Sequence, residues 1–244
     1  WSDIWDFAKV KGIKSLKNKF HKKFTKNQFL VNSKLNFAEN LLVRNNNKKA
    51  ITFISENGFK ETRSWIGLKE NVEDLAIFLK KHKIKKGTRV AAYMPNQIET
   101  VECFLATAAI GAIWSSCSPD FGTPGLIERF SQIKPKILIL TDRYYYNGKE
   151  ISILERLPSI VHKIKSIKHV LIFSYPGKKL IKISNLKNVN IFTKKNITHS
   201  KDKIFKYEKF DFNDDLAILY SSGTTGKPKC ICHRLGGVLL QHLK

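Results

Sequence analysis

The sequence has few cysteines and no long apolar run, and each shortage excludes a class of protein. The longest apolar stretches fall well short of the roughly 18 residues that cross a bilayer, so we expect no membrane helix. Cys230-x-Cys232-His233 has no second ligand pair with which to complete a tetrahedral metal site, and no Cys-x-x-Cys pair occurs. We therefore expect no metal site and buried free thiols, in the reducing cytoplasm, for all four cysteines, which are Cys103, Cys117, Cys230 and Cys232.

Acidic residues are also scarce, since 20 Asp and Glu stand against 44 Lys and Arg and the formal net charge is +24. Only seven of the 44 are Arg, the residue whose fork of donors best suits phosphates and base edges. Lysine is spread along the whole chain, with denser runs at Lys9–Lys26 and Lys163–Lys206. Because Lys, Asn and Ile share A- and T-rich codons, codon bias explains the charge better than nucleic-acid binding. A basic nucleic-acid-binding module remains the alternative from another class, and it predicts steeply salt-dependent affinity.

The 244-residue chain has the composition of a globular protein, with 42% apolar and 26% charged residues. No signal peptide is visible at its N-terminus. It opens at Trp1 inside an aromatic helical pattern and closes inside the apolar pattern of Leu239, Leu240 and Leu243. Both ends look cut, so we expect a piece of a longer protein.

The first part of the chain is predicted to form small elements around one hairpin. Residues 1–48 indicate short helices with basic connectors, one of them at Asn36–Arg44. A hairpin should follow, because Asn57-Gly58 supplies the positive φ angles of a tight turn. The predicted hairpin strands and the amphipathic helix after them are Ala50–Ser55, Phe59–Ser64 and Trp65–His82.

After Gly87, apolar strands alternate with helices, which indicates an α/β fold with a doubly wound parallel sheet. Such sheets bind ligands beyond the carboxyl ends of their strands. Residues 174–210 are rich in Lys, Asn and Gly and predict a surface excursion with one or two edge strands. The predicted strands are Arg89–Met94, Ala112–Ser116, Lys136–Thr141, His169–Phe173 and Asp215–Tyr220. The predicted helices are Ile98–Ile110, Thr123–Ile133, Glu150–Leu157 and Val161–Ile167.

One loop carries recognisable chemistry, the Ser-Ser-Gly-Thr-Thr-Gly-Lys-Pro-Lys run at residues 221–229, directly after a buried strand. Glycines let the backbone approach a polyanion, while hydroxyls and lysines supply donors and charge. This combination predicts a triphosphate cradle. A Walker A loop has the pattern Gly-x-x-x-x-Gly-Lys-Ser/Thr, in which a second glycine follows the first by five positions. Pro228 occupies that position after Gly223, so a Walker-type NTPase or kinase is disfavoured. The candidate phosphate-binding residues are Ser221, Ser222, Gly223, Thr224, Thr225, Gly226 and Lys229.

The string Tyr220–Lys229 resembles the phosphate-loop signature of the adenylate-forming superfamily of acyl-CoA synthetases, luciferases and peptide-synthetase adenylation domains. Leu35–Leu42 resembles the acetyl- and acetoacetyl-CoA synthetase branch of that superfamily. Gly111–Gly122, Tyr144–Lys149 and Gly236–Lys244 are similar to the acetoacetyl-CoA synthetase family in particular. The similarity runs from about Trp5 to the last residue, without residues 174–210, and covers less than half of a complete family member.

The resemblance implies that residues 49–244 are part of the large N-terminal domain of an adenylate-forming ligase, truncated after the phosphate loop. It implies that residues 1–48 form an N-terminal helical segment that precedes this domain. It implies that acetoacetate attacks the α-phosphorus of ATP, with Mg²⁺ assisting, and that CoA then displaces AMP from the adenylate. ATP, acetoacetate and CoA would be the small-molecule substrates. An acetyl- or propionyl-CoA synthetase shares the same loop and remains the alternative within the superfamily.

The resemblance also implies roles for single residues. Ser222–Gly226 and Lys229 would hold the β- and γ-phosphates. Lys149 matches the place of a basic residue near the CoA nucleotide, and His233 is either a helix-start residue packed under the loop or a residue on the substrate side. No catalytic residue is expected within the chain, since the family's catalytic segments lie in a C-terminal part beyond it. We therefore expect these 244 residues alone to lack ligase activity.

Overall fold

The computed structural model describes residues 1–23, 26–198, 204–221 and 226–244. Its helices are α1 Ser2–Phe7, α2 Phe37–Leu41, α3 Trp65–Lys81, α4 Ile98–Ala109, α5 Thr123–Ile133, α6 Leu157–Lys163 and α7 Leu235–Leu243, with 3-10 turns at Leu154–Arg156 and Lys194–Asn196. Its short N-terminal strands and first hairpin are β1 Gly12–Ile13, β2 Lys17–Lys19, β3 Gln28–Val31, β4 Lys34–Leu35, β5 Lys49–Ile54 and β6 Lys60–Ser64. The later strands are β7 Arg89–Tyr93, β8 Ile113–Cys117, β9 Ile137–Thr141, β10 Arg143–Tyr146, β11 Lys149–Ser152, β12 His169–Phe173, β13 Asn190–Thr193, β14 Phe210–Asp211, β15 Asp215–Ser221 and β16 Lys229–Arg234.

A seven-stranded sheet forms the centre of the fold, in the order β13-β12-β9-β7-β8-β15-β16. All neighbouring strands are parallel except the last pair, because β16 returns antiparallel to β15. The predicted α/β class with a mostly parallel sheet is confirmed. The carboxyl ends of β7, β8 and β15 therefore lie along one edge, where ligand-binding loops of such sheets occur.

Helices cover both faces of this sheet, and the strands alternate accordingly. Val90 and Ala92 of β7 pack into a core with α3, α4 and α7, whereas Ala91 and Tyr93 pack into a second core with α5 and α6. Strands that are buried on both faces must be apolar throughout, which explains their continuous runs in the sequence. The N-terminal segment shares the first core, since Leu35 and Phe37 belong to it.

Most predicted elements are confirmed, and the exceptions have local causes. The predicted helix at Glu150–Leu157 is wrong, because Lys149–Ser152 pairs with β10 as a hairpin around Asn147-Gly148. The predicted helix at Val161–Ile167 starts earlier, at Leu157, since Pro158 suits the first helical turn, and it ends at Lys163. Residues 1–48 contain short strands as well as the predicted short helices.

Two cysteines depart from the prediction of buried thiols. Cys103 and Cys117 are buried and free, but Cys230 and Cys232 are exposed and free. Their exposure follows from their position on β16, which is the edge strand of the central sheet. Throughout the described ranges, no helix is long and apolar enough to cross a membrane.

Candidate phosphate-binding site

The predicted phosphate loop connects the two strands of the β15–β16 hairpin at the carboxyl edge of the sheet. Ser221, the last residue of β15, is paired with Lys229, the first residue of β16. Both ends of the candidate loop are thus held side by side. The other four candidates at its start, Ser222, Gly223, Thr224 and Thr225, lie outside the described residues.

Gly226 is the candidate whose backbone requires glycine. Its φ angle is +107°, in the region that residues with a Cβ avoid, although no atom lies within 4 Å of the place a Cβ would take. The constraint is therefore conformational rather than steric. Pro228, two residues later, is buried, while Lys227 and Lys229 on either side of it are exposed.

Helix α5 supports both sides of this loop from the second core. The Tyr220 hydroxyl donates to the Arg129 carbonyl at 3.2 Å, just before the loop. The Gln132 amide donates to the Pro228 carbonyl at 3.0 Å, just after it. Burial raises the pKa of Tyr220 above its ordinary value, so its hydroxyl stays protonated and available as a donor. The last turn of one helix therefore contacts both flanks of the loop.

The neighbouring edge segment, residues 118–122 after β8, is fixed by a buried donor, Tyr93, and a half-buried one, Arg156. The Tyr93 hydroxyl donates to the Phe121 carbonyl at 2.6 Å, and Arg156 donates to Tyr93 and, at 3.0 Å, to the Pro119 carbonyl. The Arg129 guanidinium stacks over the Phe121 ring at 4.2 Å and so connects this segment to α5. Burial raises the pKa of the nearby Cys117 thiol to about 11, which keeps it neutral and suits a packing role.

His233 does not start a helix. It lies on β16 opposite Ala217, and α7 begins two residues later at Leu235. The chain continues as a strand after the loop because residues 229–234 pair with β15. His233 lines a mainly apolar cavity of about 710 Å³, together with Phe104, Trp114 and Val238 among others.

Arg234, beside His233, connects β16 to the N-terminal segment. Its guanidinium donates to the Asn27 carbonyl at 3.0 Å and lies 3.4 Å from the Asn213 amide oxygen. The Asn213 amide also exchanges hydrogen bonds with the Phe29 backbone at 2.8 and 3.2 Å. The large side chain at position 234 thus helps to hold residues 27–29 against the start of α7.

The structure does not place Lys149 beside the loop. This exposed lysine begins β11 and is paired with Tyr146 across the hairpin turn. The turn is anchored by the Glu56 carboxylate, which accepts from the Asn147 and Gly148 backbones at 2.9 and 3.3 Å. The hairpin follows β9, and β7 and β8 separate β9 from β15 in the sheet. A ligand that contacts Lys149 would therefore approach a different part of the carboxyl edge.

Comparison with known proteins identifies the family. The family described as AMP-binding enzyme matches residues 38–243 of the chain. The chain belongs to this family. Among similar proteins of the AMP-binding family, the acetoacetyl-CoA synthetase of Gallus gallus is 42% identical over 87% of this chain and 32% of its own length. Those of Xenopus tropicalis and Rhizobium meliloti are each 38% identical over the whole chain, which covers 38% and 37% of the relatives.

A solved structure agrees with this assignment to the AMP-binding family. The acetoacetyl-CoA synthetase from Streptomyces lividans superposes with a TM-score of 0.87 and 28% identity, over 100% of this chain and 37% of that one. The chain spans less than two-fifths of the length of these relatives.

Sequence reasoning missed the residues of this AMP-binding domain that support the loop from beneath. Gln132 and Arg129 lie about 90 positions before the loop, on a helix whose apolar face dominates its pattern. No motif in the sequence pairs them with the loop. Only the packing of α5 against β15 and β16 brings these polar groups to it.

Proposed function

We propose that the protein encoded by this gene joins acetoacetate to CoA at the expense of ATP, through an acetoacetyl-adenylate. The observation that carries the proposal is the hydroxyl- and lysine-bearing loop at the carboxyl end of β15, in a chain 36–42% identical to several acetoacetyl-CoA synthetases. The strings Gly111–Gly122 and Gly236–Lys244, which resemble that family in particular, support acetoacetate over other acids.

The chemistry proceeds in two balanced steps. A carboxylate oxygen of acetoacetate attacks the α-phosphorus of ATP, and the bond to the β-phosphate oxygen breaks, which gives the adenylate and pyrophosphate. The CoA thiolate then attacks the acyl carbon, and AMP leaves. The phosphate oxygens carry growing negative charge in the first step, and preorganised donors and cations lower its energy. We assign that role to the loop residues, with Ser221, Gly226 and Lys229 at its described ends.

Mg²⁺ assists this chemistry in the superfamily, where it would be held by substrate phosphates and few protein ligands. Within the described ranges there is no group of three or more His, Cys, Asp and Glu side chains that could hold a metal ion.

We also propose the remaining site roles on the superfamily pattern. Lys149 would contact the nucleotide portion of CoA, which fits its exposed place on an anchored hairpin. His233 would lie on the substrate side, which fits its place on a cavity wall. Residues 49–244 would form the ligase domain and residues 1–48 its N-terminal segment, and a cytoplasmic location would agree with four free thiols.

A direct assay shows which acid is the substrate. Purified protein encoded by the gene is given ATP, Mg²⁺, CoA and, in parallel, acetoacetate, acetate, propionate or butyrate, and AMP release is followed. Strong preference for acetoacetate supports the proposal. Preference for acetate or propionate would leave adenylation intact but reject acetoacetate as the substrate. The absence of AMP release with every acid would reject the ligase function.

A further inference from the structure

Gln132 makes an unusual set of contacts for a residue on the exposed side of a helix. Its amide nitrogen donates to the Pro228 carbonyl at 3.0 Å and to the Glu128 carbonyl of its own helix at 3.1 Å. Its amide oxygen lies 3.6 Å from the Cys230 sulfur, which donates to it. One side chain of α5 therefore contacts the residues immediately before and after Lys229.

Lys229 stands on β16 between Pro228 and Cys230, the two residues that the Gln132 side chain contacts. It is exposed, and it lies on the edge strand of the sheet, where one side of the backbone is unpaired. Across the hairpin it meets Ser221, at the other end of the loop. The Gln132 contacts are thus the side-chain hydrogen bonds that connect this end of β16 to a helix in the described structure.

We infer that Gln132 is a positioning residue for ATP: it holds the start of β16 on α5 so that Lys229 stays directed across the loop from Ser221. The inference rests on the proposed function, since it presumes that the loop binds the phosphates of ATP. Gln132 does not itself touch the nucleotide. Because Gln132 already holds residues 228–230 against α5, less conformational entropy is lost there when ATP binds.

Loss of the Gln132 side chain should weaken ATP binding without much effect on the stability of the fold. The Gln132 side chain is solvent-exposed, so the loss of its hydrogen bonds is largely compensated by water in the unbound protein. The effect of the substitution should therefore appear as a lower affinity for ATP. One hydrogen bond of ordinary net strength corresponds to about a fivefold change in affinity.

The experiment compares Gln132→Ala and Gln132→Glu with the wild type in the protein encoded by the gene. Glu keeps the length of the side chain but, when ionised, has no N–H to donate to Pro228. Ser131→Ala, the exposed neighbour on α5, is the matched control. ATP binding is measured by calorimetry, and KM for ATP, KM for acetoacetate, kcat and the melting temperature are measured alongside.

We expect both Gln132 variants to weaken ATP binding and to raise KM for ATP about fivefold, with kcat, KM for acetoacetate and melting temperature close to those of Ser131→Ala. ATP affinity equal to that of the control would overturn the inference while leaving the proposed function in place. A melting temperature that falls with all kinetic constants would make Gln132 a structural residue and would also overturn it. A wild type that binds no ATP would reject the proposed function, and the inference with it.

Discussion

Ser221 and Lys229 stand opposite each other as the last antiparallel pair of the β15–β16 hairpin, although seven residues separate them in the chain. The hydroxyl of one and the ammonium group of the other thus mark the two ends of the candidate phosphate loop. Because β15 is parallel to β8 and ends at the carboxyl edge, the pair lies where α/β sheets bind ligands. Each prediction about ATP follows from this placement.

Lys229→Ala should raise KM for ATP about tenfold. The change removes a cation from the base of the loop, where it would meet phosphate oxygens. Lys187→Ala is the matched control, since it removes the same charge from an exposed site in the 174–210 excursion. The effect should shrink at high salt because exposed charges are screened. Equal KM values for the two variants would contradict a phosphate contact by Lys229.

Gly226→Ala should weaken ATP use and also lower stability by about 1 kcal/mol. An alanine at φ +107° is strained, and relief of that strain would move the end of the loop. Gly67→Ala, in helix α3, has no positive φ and its added Cβ would make only ordinary van der Waals contacts, so it is the control and should be neutral or slightly stabilising. KM for ATP and urea unfolding are measured for both. A neutral result at position 226 would show that the loop accommodates the change.

Arg63→Ala should destabilise the fold by about 3 kcal/mol, because it leaves a buried carboxylate unpaired. The Glu102 side chain is 2% exposed and accepts from the Arg63 and Asn71 side chains, both at 2.8 Å. Burial raises its pKa in spite of these partners. The double variant Arg63→Ala with Glu102→Gln should recover part of the loss, since the uncompensated charge is gone. Urea unfolding at pH 7 tests both, and no recovery would argue against the charge as the cause.

The free energy of unfolding should fall as the pH is lowered below 6.5. Burial lowers the pKa of both His82 and His169, whose rings lie 5.4 Å apart, and the cations of Lys81 and Lys136 lower them further. The unfolded chain therefore binds protons near pH 6.5 that the folded protein does not, so acid favours unfolding. The double variant His82→Gln with His169→Gln should have a flatter profile. Parallel profiles for the two proteins would assign the acid sensitivity to other groups.

Most of the fold was predictable because apolar periodicity reports burial directly. Thr123–Ile133 and His169–Phe173 were predicted to the residue, since each has a simple apolar pattern bounded by turn residues. The predicted helix at Glu150–Leu157 was wrong because its first residues are exposed or half-exposed and pair with a tyrosine-rich strand. A short amphipathic stretch carries no periodicity strong enough to decide between a helix and a hairpin strand.

The sequence by itself determined the α/β class, the order of the main elements and the position of the candidate phosphate loop after a buried strand, because these depend on local residue type and spacing. It did not determine what lies beneath that loop. Gln132, Arg129 and Tyr220 are brought together by the packing of α5 on the sheet, and His233 was placed on a strand by pairing with Ala217. Such contacts between polar groups distant in the chain depend on tertiary packing, which no local pattern encodes.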